Sequence, residues 1–91
     1  MLITTNYFLV TVICEESVSE HLIKNLRQFE PVSYTVQKLD CGKGNAAEQP
    51  GVKVEVLCSR ALYSRVLDYV NQYYVKQYDV TLYMTEVSAP M

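Results

Sequence analysis

The 91-residue chain reads as an α+β domain built in the order β-α-β-β-α-β. Three observations predict this. Four runs of apolar or alternating residues, each bounded by turn-forming residues, have strand character. Two longer stretches repeat apolar residues at helical spacing, one between the first and second runs and one between the third and fourth. The two halves therefore share one β-α-β pattern. Two right-handed units of that kind interleave as a single antiparallel sheet of strand order 4-1-3-2, with both helices on one face, a ferredoxin-like fold.

The first strand is Tyr7-Phe8-Leu9-Val10-Thr11-Val12-Ile13-Cys14. It is apolar on both alternating faces, which places it at the centre of its sheet. A helix follows over roughly 17–29, with Ser17 or Ser19 as candidate cap and Val18, Leu22, Leu26 and Phe29 as its apolar stripe. Pro31 ends it. Val32 to Lys38 alternates, with Val32, Tyr34 and Val36 on one face, and reads as a half-buried strand. Val52 to Cys58 alternates as well. Ser59 can cap a second helix over roughly 60–74, whose stripe is Leu62, Val66, Val70 and Tyr73, widened by Tyr63, Leu67 and Tyr69. Residues 78–87 supply the last strand.

Between the second and third strands lies a connection over about 39–51 that holds all three glycines of the chain. That is long for a hairpin and suggests a working loop. Topology gathers three connections at one end of the sheet: the turn after Cys14, the glycine loop and the turn Val75-Lys76-Gln77-Tyr78. The helices cover one sheet face only. The other face, carrying apolar residues of the first strand with Thr81 and Tyr83, is a candidate oligomer interface.

Composition narrows the classes of function. Hydrophobic residues make up 49%, so the chain is of folded rather than disordered type. Eight Lys+Arg against ten Asp+Glu give a net charge of −2, which does not favour nucleic acid. Cys14, Cys41 and Cys58 are odd in number and lack C-x-x-C spacing, so neither a disulfide framework nor a zinc site is expected, and a reduced cytoplasmic setting fits. No basic leader and no apolar run of about 20 residues is present, so direct membrane insertion is not expected.

Catalytic machinery is not evident. His21 is the only histidine and has no orienting acid near it in sequence; it reads as a helix-surface or half-buried residue. Glu15 and Glu16 are adjacent, so their side chains diverge, and acids at a helix start are expected from the helix dipole. Tyr69, Tyr73, Tyr74 and Tyr78 read as core and interface residues. Gly42-Lys43-Gly44 is the strongest local signal: glycines let backbone N–H groups approach an anion and the lysine adds charge. It is not a P-loop, since no G-x-x-x-x-G-K-[ST] is present. Lys53 and Lys76 can reach the same end.

Taken together, Tyr34-Thr35-Val36, Gly42-Lys43-Gly44 and Val52-Lys53-Val54-Glu55-Val56-Leu57 resemble the PII-like signalling proteins, nearest the SbtB type associated with bicarbonate transport. The resemblance covers nearly the whole chain and implies a single PII-like domain over 1–91. It implies a homotrimer with sheets packed around a central axis and an adenine nucleotide (ATP, ADP, AMP or cyclic AMP) in the clefts between subunits. The loop after the second strand would then be a T-loop that engages a membrane transporter or an enzyme. Carried over to this chain, the ligand-binding residues are Thr35, Gly42, Lys43, Gly44 and Lys76, with no catalytic residue, metal or covalent cofactor. The loop is shorter than a PII T-loop and holds no tyrosine, and Asn45-Ala46 stands where the nearest branch has a serine and an arginine. The alternative implied by the same fold is a CutA-like or other PII-related trimer that binds metal or docks protein without nucleotide.

Overall fold

A computed structural model describes residues 4–42 and 44–90, without the side chains at 4, 5, 89 and 90. The elements are β1 (Thr4–Cys14), α1 (Glu16–Leu26), β2 (Ser33–Cys41), β3 (Gln49–Cys58), α2 (Tyr63–Val70) and β4 (Thr81–Pro90). A 3-10 turn, Arg27–Phe29, extends α1, and a π turn, Asn71–Val75, extends α2. The sheet is antiparallel with order β2-β3-β1-β4, which is the expected 4-1-3-2 read from the other edge.

Register assigns every residue to a face. Val10 and Val12 of β1 lie opposite Val56 and Val54 of β3, and all four are at most 1% exposed beneath the helices. Leu22 and Leu26 of α1 and Val66 and Val70 of α2 close the core above them. The covered rows continue outward to Tyr34 and Val36 on β2, which remain 44% and 45% exposed. The expectation of a half-buried second strand is therefore corrected. β2 is the sheet edge: the buried core beneath the helices lies over β1 and β3, and α1 meets β2 through the exposed Glu16–Lys38 pair.

On the other face run the rows Leu9–Leu57, Thr11–Glu55 and Ile13–Lys53, with Tyr83 beside Thr11 and Thr81 beside Ile13 on β4. No helix covers them. Leu9, Ile13 and Leu57 are half-buried, and Tyr83 is 46% exposed.

Local details differ from expectation in ways that physics explains. Helix α1 starts one residue early, at Glu16, with Glu15 as a cap in extended conformation and no side-chain cap bond. Ser19 instead donates to the Glu16 carbonyl at 2.7 Å within the helix. At Ser59 the backbone carbonyl, not the hydroxyl, receives the Leu62 and Tyr63 N–H groups, both at 3.1 Å.

In the second helix the expected core residue Tyr73 is 48% exposed, and Tyr74 is 2% exposed in its place. The π turn widens the last turn by about one residue, so the inward stripe passes Val66, Val70 and Tyr74. The Tyr74 hydroxyl accepts from Asn25 Nδ2 at 2.9 Å and lies 3.1 Å from His21 Nδ1, whose ring stacks on it. His21 thus acts as part of an aromatic tie between α1 and the exit of the second helix, continued by Tyr78.

The glycine loop is shorter than the sequence suggested. β2 runs through Cys41 and β3 begins at Gln49, so the connection narrows to 42–48 and Gly51 lies inside a strand.

Candidate functional site: a cleft at the base of the loop

β1 and β2 run in one direction, β3 and β4 in the other, so the end of the first pair and the start of the second share one edge of the sheet. There a cleft of about 560 Å³ opens, within the size range of small-molecule sites. Ile13 and Cys14 of β1, Leu39 and Cys41 of β2, Gly51 of β3 and Thr81 of β4 meet in it. Ile13, Leu39, Gly51 and Thr81 belong by register to the uncovered face, so the cleft is continuous with that face. Ala46 and Ala47 bring the loop to its wall.

Two glycines shape the site for different reasons. Gly44 has φ +57°, the left-handed conformation, at the turn of the loop. Gly51 has no such conformation; it is there because of crowding. A Cβ at this position would lie 2.6 Å from Cys41 Sγ and 3.3 Å from the Cys14 carbonyl oxygen. The Cys41 thiol therefore occupies the space that a side chain on β3 would take, a close approach typical of strand glycines.

The three thiols are in unlike surroundings. Cys14 and Cys58 are buried, at 4% and 0% exposure, and burial pushes each thiol up to about 11 from 9.0, with Cys41 and Glu15 adding to the effect at Cys14. Only Cys41 is partly open, in the cleft wall. Because the thiolate is the reacting form, iodoacetamide at pH 7.5 is expected to label Cys41 well before the other two. Peptide mapping after a short exposure checks this, and equal labelling of all three would contradict the geometry.

The charged groups that line the cleft among the described residues are Glu15, Asp40 and Asp79. Glu15 and Glu16 diverge as expected, and Glu16 turns to Lys38 at 3.3 Å. Both partners of that pair are well exposed, so it contributes at most about 1 kcal/mol.

Of the residues singled out in sequence, Gly42 lines the cleft and Gly44 turns the loop beside it. Lys43 lies outside the described residues. Thr35 is on the uncovered face of β2, opposite Glu55 and four residues before Leu39, about 13 Å along the strand. Lys76 follows the π turn, exposed, and does not line the cleft; Lys53 stands opposite Ile13, one row away. Sequence reasoning missed Ile13, Leu39, Cys41, Gly51 and Asp79. The available signal was topological: each sits at the strand end that the β-α-β-β-α-β order brings to the loop.

Among the described residues no helix is long and apolar enough to cross a membrane, and no cluster of His, Cys, Asp and Glu could hold a metal ion.

No family model matches the chain, and no curated protein matches it in sequence. Solved structures match it in shape. A PII-like signaling protein from Thermus thermophilus superposes with TM-score 0.79 at 22% identity, covering 94% of this chain and 90% of that one. CPII, a nitrogen regulatory PII-like protein from Thiomonas intermedia bound to ADP, AMP and bicarbonate, gives TM-score 0.82 at 15% identity, covering 96% of each chain. The B. subtilis GlnK–ATP complex gives TM-score 0.67 at 18% identity, covering 90% of this chain and 82% of that one. At these identities the likeness is one of fold. The chain has the ferredoxin-like fold of the PII-like signalling proteins.

Proposed function

We propose that the protein is a PII-like regulator, a homotrimer that binds an adenine nucleotide in clefts between its subunits and signals to a protein partner through the loop after β2. The observation that carries this reading is the cleft itself. It lies at the base of that loop and opens onto a sheet face that no helix covers, so a neighbouring copy packed on the face would complete it. CPII bound to ADP and AMP, and GlnK bound to ATP, share the fold and make adenine nucleotides the class to test.

In this reading Gly42 and Gly44 shape the ligand end of the loop and Lys43 meets the phosphate, while Thr35 and Lys76, which lie outside the cleft of a single chain, contact the ligand only in the assembled clefts between subunits. The loop tip engages the target, a membrane transporter of the SbtB-type pairing or an enzyme, from the cytoplasm. The protein senses rather than catalyses.

Isothermal titration with ATP, ADP, AMP and cyclic AMP tests the reading. At least one is expected to bind saturably, and Lys43→Ala is expected to weaken it roughly 10- to 100-fold, the loss of one charge-assisted contact. Absence of heat with all four, together with an unchanged Lys43→Ala variant, sinks the nucleotide assignment.

A further inference from the structure

The end of the second helix can be wound in two ways. At α spacing its apolar stripe runs through Val66, Val70 and Tyr73. In the structure the π turn Asn71–Val75 rotates the last turn, so that Tyr74 is buried and Tyr73 is exposed. No glycine or proline stands between 61 and 77 to force the wider turn. Both positions carry tyrosine, and the Tyr69 ring lies beside both, with centroids 4.9 Å from Tyr73 and 6.1 Å from Tyr74. Either residue can therefore supply the aromatic ring that closes the core here.

What separates the two registers is polar. His21, Asn25 and Gln28 follow one another at spacings of four and three along α1 and its 3-10 turn, so they share one side. Asn25 Nδ2 donates to the Tyr74 hydroxyl at 2.9 Å, His21 Nδ1 lies 3.1 Å from it, and Gln28 hydrogen-bonds Tyr69. The contacts to the Tyr74 hydroxyl exist only while Tyr74, not Tyr73, points at α1. A satisfied polar network of this kind selects one packing over a near-equal alternative. The turn before β4 hangs from the same residue. The Tyr74 carbonyl accepts from the Gln77 and Tyr78 N–H groups at 3.2 and 2.9 Å, and the Tyr78 ring lies 6.0 Å from that of Tyr74. Residues 76–80 then lead into β4, and Asp79 and Thr81 on this path line the cleft.

We propose that the exit of the second helix is a two-register switch: Asn25 and His21 hold the π register through Tyr74, the α register places Tyr73 inward instead, and the exchange repositions Asp79 and Thr81 in the wall of the cleft. His21 and Asn25 are positioning residues in this device. A ligand or partner that meets Asp79 in one register only shifts the balance by that difference in affinity.

Solution NMR of the isotope-labelled full chain, with relaxation dispersion to detect minor populations, tests the switch. Two variants are compared with the unaltered chain: Tyr74→Phe, which keeps the ring and removes the hydroxyl, and Asn25→Ala, which removes one bond and leaves Tyr74 intact. In each the ratio of α to π register is expected to rise, by roughly 2- to 10-fold for each bond lost. The rise is read as larger dispersion, a second set of signals or displaced averages over 71–81, with contacts from the Tyr73 ring to α1. Signals of Asp79 and Thr81 are expected to move with those of Tyr73. Adding Tyr73→Ala to Tyr74→Phe removes the residue that fills the α register and is expected to suppress these changes. Variants that lower the unfolding midpoint but keep Tyr73 exposed, with one unshifted set of signals and unchanged dispersion, would overturn the switch and leave a plain structural tie. Changes confined to 71–75, with Asp79 and Thr81 unmoved, would overturn the link to the cleft.

Discussion

Replacing Leu22 with alanine is expected to remove about 2–5 kcal/mol of folding stability, the range for a buried leucine cut back to a methyl group. Leu22 is fully buried at 0% exposure, the largest such side chain of the core. It reaches from α1 into the layer formed by the valines of β1 and β3, with α2 beside it. None of these elements can close the gap alone, because each is also held by the sheet or by the facing helix. A chain of this size has a stability of only about 5–15 kcal/mol, so the loss is a large share of the whole. The melting temperature should fall by roughly 8–40 °C, at about 4–8 °C per kcal/mol. Thermal unfolding at matched protein concentration checks this, since self-association makes the midpoint concentration-dependent. Lys38→Ala is the control. It breaks the exposed pair with Glu16 and should change stability by less than about 1 kcal/mol.

Gly51→Val is expected to destabilise by about 1–3 kcal/mol and to close part of the cleft, although valine is the better strand former. The backbone at Gly51 is not in the left-handed region; among described glycines only Gly44 is. Were the space open, the substitution would stabilise, because a larger residue restricts the unfolded chain. The sign is decided by the clash. A Cβ at 2.6 Å from Cys41 Sγ forces the thiol to turn away, and the Cys14 carbonyl oxygen at 3.3 Å is backbone of the central strand and cannot follow. Cys41→Ala removes the first obstacle and leaves the second. In the double variant part of the loss should return, giving a coupling of about 0.5–3 kcal/mol between the two positions. Simple additivity of the two substitutions in urea unfolding would show that Cys41 does not fill the space over Gly51.

The fold was legible in the sequence because two periodicities carried it. Alternation in Val52 to Cys58 and the unbroken apolar run of β1 marked the paired central strands, and the order of elements determined which ends meet. Burial at the edge was less legible. Tyr34 and Val36 alternate as correctly as Val54 and Val56, and only the reach of the helix layer separates them. Tyr73 and Tyr74 are adjacent and alike, and a single π turn decides which one enters the core.

The site was legible in its place but not in its walls. Asp40-Cys41-Gly42 and Pro50-Gly51 read as turn formers, yet cross-strand pairing of Cys41 with Gln49 and Asp40 with Pro50 carries the ladder through them. Gly51 looked like one more loop glycine because the atom that requires it, Cys41 Sγ, is on another strand.

If the uncovered sheet face and the loop-base cleft form one inter-subunit nucleotide site, subunit assembly and ligand uptake must appear in the same species. Native mass spectrometry of the protein with excess AMP tests this most directly. The account predicts a species of about three times the 10.4 kDa chain mass, carrying up to three bound nucleotides. A monomer at micromolar concentration, or a trimer that takes up no nucleotide, would contradict it.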